Sequence, residues 1–211
     1  MKNTFMMLAA LSAFTGLATA SVTYNVSGVY TSGGTAQTLT ATNGTDDFSL
    51  VWSITAGSAN NTVATFPSNE NFGEFTLTCT AVCDGASVTI PAFVFVITID
   101  DLTDGGIGSF TGTSGGGPVS FNTGTGVGSS NVGVSWSPLQ LGSGSFNASS
   151  GNFGNTFFTI QNSTPIVDPR TNNGVETISG TINSQVPEPT TLALLGAGLI
   201  GLGVIARKRK V

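Results

Sequence analysis

Apolar residues recur at every second position through much of the chain. Val22, Tyr24 and Val26 alternate with polar neighbours, as do Phe48, Leu50, Trp52 and Ile54, and again Phe75, Leu77, Cys79 and Ala81. A period of two puts one row of side chains against a core and the next in water, so these stretches predict half-buried β-strands. Phe93 to Ile97 breaks the alternation with five consecutive apolar residues. That run predicts a central strand covered on both faces, with Pro91 at its start or at a bulge. The same criteria place strands over 37–42, 107–111, 119–121, 132–136, 139–146, 156–161 and 175–183. Gly33-Gly34, Asn43-Gly44, Asp84-Gly85, Gly105-Gly106, Ser114 to Gly117, Gly151 and Asn173-Gly174 supply turns between them. No amphipathic helix interrupts the series. The expected fold class is all-β, a β-sandwich or jelly-roll-like domain. The stretch from Asp104 to Gly154 is rich in Gly, Ser, Thr and Asn, as a linker between two small β units would be. Phe110, Phe121, Trp136, Leu139, Leu141, Phe146 and Phe153 punctuate it at strand-like intervals, so one domain with long loops is the preferred reading.

The two ends follow a different pattern. Met1-Lys2 precedes a mainly apolar run from Phe5 to Leu17, and Ala18-Thr19-Ala20 then offers a small-residue cleavage site. This order predicts a secretory signal peptide over 1–20 and a mature chain starting at Ser21. At the other end Val186-Pro187-Glu188-Pro189 leads into seventeen uncharged residues, Thr190 to Ala206, followed by Arg207, Lys208, Arg209 and Lys210. As a helix that run spans roughly 25 Å, the short end of what crosses a bilayer. Its glycines suit a membrane helix better than a water-exposed one. The basic cluster places the extreme C-terminus in the cytoplasm. A plain C-terminal anchor would share these features.

The order of Pro-Glu-Pro, short Gly-rich apolar helix and terminal Arg/Lys cluster resembles the PEP-CTERM sorting signal of Gram-negative bacteria. The resemblance covers about one eighth of the chain, residues 186–211, and leaves 21–185 as the exported β-rich domain. It implies processing by an exosortase, a membrane protease-transferase that cuts near Val186, Pro187, Glu188 and Pro189. It also implies passage through the inner membrane, transient anchoring there, then residence at the cell surface or in the extracellular matrix, with exopolysaccharide and biofilm as the usual company.

Charge narrows the function of the exported part. Of eleven carboxylates and six basic residues in the whole chain, ten carboxylates but only Arg170 fall between Ser21 and Gln185, a net of −9. Such a domain repels nucleic acid and anionic membrane surfaces. With no histidine in the chain and no lysine in this region, triad chemistry and a lysine base are excluded. A glycosidase would need two carboxylates flanking one bond, and no pattern here assigns such a pair. The expected function is a non-catalytic surface or matrix protein without cofactor. A carbohydrate-binding domain with a defined glycan, or a secreted hydrolase, are the alternatives.

Few residues suggest a particular chemistry. Cys79 and Cys83 are the only cysteines, and export favours a disulfide over paired thiols. A continuous strand would separate their Cα atoms by roughly 13 Å, so bridging requires a turn at Thr80-Ala81-Val82. Asp100, Asp101 and Asp104 crowd the end of the apolar strand. They fit a solvated turn, the preferred reading, or a calcium site built from carboxylates; Asp46-Asp47 is likewise expected to be solvated. Gly124, Gly126 and Gly128 lack the helix and lysine of a phosphate loop. Tyr24, Tyr30, Trp52 and Trp136 are candidates for a sugar-stacking platform, against a core role that the apolar face of Trp52 favours.

Overall fold

The computed structural model describes residues 21–54, 61–63, 66–103, 105–142 and 156–184, together with Gly198. Ser21–Ser184 form one compact unit. Its strands are β1 (Val22–Ser32), β2 (Thr38–Thr42), β3 (Asp47–Ser53), β4 (Asn61–Val63), β5 (Ser68–Cys79), β6 (Val88–Ile90), β7 (Phe93–Asp101), β8 (Gly106–Ser114), β9 (Gly117–Asn122), β10 (Val127–Ser130), β11 (Val132–Ser137), β12 (Gln140–Gly142), β13 (Thr156–Ile160), β14 (Ser163–Ile166) and β15 (Val175–Ser184). A 3-10 turn, Thr171–Gly174, precedes β15. The unit is all-β.

The strands form two six-stranded sheets and one three-stranded sheet. The first sheet runs β14-β11-β8-β7-β1-β4, the second β12-β13-β15-β5-β3-β2, and the third β10-β9-β6. Every strand pairing is antiparallel. The apolar rows of the two large sheets meet in one aromatic core. Tyr24 on β1 lies edge-on to Phe72 of β5 and Phe158 of β13, with ring centroids 6.4 and 5.6 Å apart. Phe75 of β5 contacts Phe95 of β7 at 5.2 Å and stacks on Trp136 of β11 at 6.4 Å. Each such pair contributes roughly 0.5–1.5 kcal/mol beyond the area it buries. The third sheet adds Val88, Ile90 and Val119 to the same core.

Glycines make room for the two indoles. A Cβ at Gly28 would fall 2.8 Å from Trp52 Cε2, and one at Gly112 would fall 2.8 Å from Trp136 Cζ3. Gly73, with φ at +111°, also sits against the Trp52 ring. It belongs to an irregularity in β5, where the register with β15 shifts between Thr177 and Ser179. Phe72 and Gly73 are consequently both buried, as an extra residue in one strand of a pair allows.

Three expectations from the sequence need correction. β7 is interior to its sheet, but its burial alternates, and Val94 and Val96 are half-buried on the outer face. One face of this strand is therefore open, and Val96 pairs there with the exposed Val29. Leu139, expected in the core, is 45% exposed because β12 starts only at Gln140. Asp46, expected in solvent, is fully buried. Its Oδ1 accepts the backbone N–H of Asp84 at 3.1 Å, which ties the β2–β3 turn to the loop after β5. Phe146 and Phe153 lie outside the described residues.

Candidate functional site

The residues expected to carry chemistry do not converge on one centre. Tyr24, Tyr30, Trp52 and Trp136 are all buried, at most 4% exposed. No aromatic platform is built from them. Asp100 and Asp101 are consecutive in β7, and neighbouring strand positions face opposite ways. Asp101 is buried, with Oδ1 accepting the N–H of Thr103 at 2.8 Å. Asp100 lies on the outer face opposite Asn25 and Ile107. These two carboxylates cannot share an ion, and Asp104 lies outside the described residues. Among the described residues, no group of three or more His, Cys, Asp or Glu is placed to hold a metal ion.

Cys79 and Cys83 are joined by a disulfide across a Cα separation of 6.4 Å. The chain leaves β5 at Cys79 and bends back, so that Cys83 is buried while Val82 is 81% exposed. The loop so fixed is a junction. Cys83 O accepts both the N–H and the hydroxyl of Thr123, each at 3.0 Å. Asn122 donates its amide to Asp84 O, and Asp84 N–H reaches Asp46. The second sheet is thereby stapled to the β9–β10 hairpin of the third.

The outer faces of both large sheets are rich in hydroxyls, with Asp47, Glu74 and Asp100 among them. Thr38, Thr40 and Thr42 of β2 stand beside Val51, Ser49 and Asp47 of β3. Val51 and Ser49 pair in turn with Thr76 and Thr78 of β5. On the first sheet Thr113, Ser135 and Ser163 form a row across β8, β11 and β14. That row opens into a shallow trough of about 580 Å³ over the paired strands β11 and β14, open to solvent and within the roughly 300–1,000 Å³ typical of ligand clefts. Gly133 and Pro165 are paired, exposed and side-chain-poor, and they form its floor. Ser135 and Ser163 stand at one end. Asn131, before Gly133, and Asp168, after Pro165, also line it. The Asp168 carboxylate is already positioned: Oδ1 accepts the N–H of Arg170 at 2.9 Å and Oδ2 the hydroxyl of Thr171 at 3.0 Å. The trough was not anticipated from the sequence. Its linear sign is that the outward positions of β11, Gly133, Ser135 and Ser137, are all small, with Gly133 opposite Pro165.

The described residues thus define an all-β domain, with its own core, that ends at Ser184. The next residue opens the C-terminal segment. Across residues 185–210 the chain matches the family model for the PEP-CTERM protein-sorting motif. That motif marks a chain for export, for transient anchoring by its C-terminus and for exosortase processing. No curated protein and no solved structure matches the chain significantly. Of the expected helix over 190–206 only Gly198 is described, helical and exposed; the motif tetrad Val186 to Pro189 and the basic residues Arg207 to Lys210 lie outside the described residues. So do Ala18 and Ala20 of the expected signal peptide; Ser21 is described, exposed and adjacent to β1.

Proposed function

We propose that this chain is an exported, non-catalytic protein of the cell surface or extracellular matrix, delivered by its C-terminal sorting signal and associated with exopolysaccharide. In this reading residues 1–20 are a cleaved signal peptide. Residues 190–206 hold the precursor in the inner membrane, with Arg207 to Lys210 in the cytoplasm. An exosortase acts near Val186 to Pro189. The domain from Ser21 onward is a β-sandwich cargo without cofactor. The observation that carries the reading is the sorting motif at 185–210, beginning where the last strand of the domain ends. The chemistry of the domain agrees with it. The chain has no histidine, its tryptophans and tyrosines are spent on the core, and its outer faces offer neutral hydroxyls that hydrogen-bond to hydrated polymers.

The test is extraction of the protein from the matrix of biofilm-grown native cells. The reading expects the protein to stay with the matrix through salt washes and to be freed by enzymatic digestion of the polysaccharide. Release by salt alone, or retention after complete digestion, would contradict the association.

A further inference from the structure

We propose that the trough over the paired strands β11 and β14 is a binding site for a neutral, polyhydroxylated glycan chain; this rests on the polysaccharide association proposed above and gives it a location. The floor of Gly133 and Pro165 presents C–H surface without a projecting side chain, a flat bed for the face of a sugar ring. Ser135 and Ser163, directly opposite each other, offer hydroxyls that both donate and accept. Asn131 adds an amide with both capacities. Asp168 can only accept when ionised, so whatever lies against it must bring O–H or N–H donors. An alternation of hydroxyl, flat floor, amide and carboxylate is complementary to a sugar, whose ring faces are C–H and whose rim is O–H.

Charge selects among glycans. Among the described residues no lysine or arginine lines the trough; Arg170, between the lining residues Asp168 and Thr171, is one base against the ten carboxylates of the domain. A uronic acid or sulfated polymer would meet repulsion on approach. A peptide adding to the open edge of β14 is disfavoured, because Pro165 removes an N–H from a strand of only four residues.

The test uses the full chain in detergent micelles, applied to an array of neutral and uronic-acid oligosaccharides. Two variants address the site. At Gly133 an added Cβ would meet only Thr164 O, at 3.9 Å, so Gly133→Gln covers the floor without disturbing the strand. Ser135→Ala with Ser163→Ala removes the hydroxyl pair. Thr40→Gln, on the outer face of the other large sheet, is the control. The proposal expects retention of neutral glycans and not of acidic ones. It expects Gly133→Gln to weaken binding at least ~10-fold, equivalent to one 1.4 kcal/mol step. The double alanine variant should weaken it by roughly fivefold, the scale of one or two hydrogen bonds, and Thr40→Gln should leave it unchanged. Neutral-glycan binding that Gly133→Gln does not alter would overturn the site while leaving the polysaccharide association standing. Binding of acidic glycans alone would overturn the assigned chemistry. Binding of no glycan at all would overturn both, and displacement at Gly133 and Pro165 by a strand-forming peptide would assign the trough to a protein partner instead.

Discussion

Trp52 and Trp136 occupy one core in unlike ways. Trp136 Nε1 donates to Thr164 Oγ1 at 2.9 Å, and Gln161 Nε2 donates to the same hydroxyl. Trp52 Nε1 is buried with no acceptor among the described residues. The first indole is therefore held by a hydrogen bond and the second by packing against Gly28 and Gly73. Thr164→Val keeps the shape but strands a buried indole N–H, which should cost about 1–3 kcal/mol, read as a lower urea midpoint at unchanged slope. Tyr30 offers a second test. Its hydroxyl donates to Leu50 O at 3.3 Å, and burial pushes its phenol well above its ordinary value. An unfolded chain releases this proton near pH ~10, whereas the folded chain retains it. The folded state then binds more protons, so stability falls as pH rises above that value and is unaffected below it. Urea midpoints at pH 8 and pH 11 should diverge for the natural chain, and Tyr30→Phe should narrow the gap.

Elements were legible where strands are regular and one-sided. Phe48 to Ile54 alternates without a miss, and β3 occupies Asp47–Ser53. β5 was half visible: the alternation from Phe75 pointed to its end, but the consecutive burial of Phe72 and Gly73 hid its start at Ser68. β4, β6, β10 and β14 are three or four residues long. A period of two cannot be established in so few positions, and the trough beside β14 was invisible for the same reason. The apolar run of β7 misled because valines on an outer face pair with each other as well as with a core. The Cys79–Cys83 loop is an element whose role emerges only in three dimensions, since its partners Thr123 and Asn122 are about forty residues away. It closes a very short loop, so the entropic contribution is about 2 kcal/mol. Reduction should lower stability by about that much and should increase amide exchange at Thr123 and Asp84 before the large sheets open. Uniform loss of protection across both large sheets would mean that the loop is not a separable staple.

At the scale of the whole molecule, the domain and the sorting motif are consecutive in sequence, with β15 ending at Ser184 and the motif starting at residue 185. β15 is no dispensable edge: it lies between β13 and β5 and buries Ile178 and Ile182. A processing cut near Pro187 would spare the strand, whereas loss of Ile182 and beyond would remove core contacts, so a chain ending before Ile182 should fail to accumulate in folded form. The exported role was legible from sequence because a sorting signal is linear chemistry: a proline-bracketed glutamate, an apolar run and a basic end in fixed order. The ligand was not, because a binding surface is assembled from strands distant in sequence. The measurement that tests the account most directly is intact-mass analysis of the protein from each fraction of native cells. The account predicts a species starting at Ser21 and ending near Pro187 to Pro189, found in the matrix or the medium. A species that still contains Arg207 to Lys210 and stays in the inner membrane would contradict it, and would make the chain an anchored periplasmic domain.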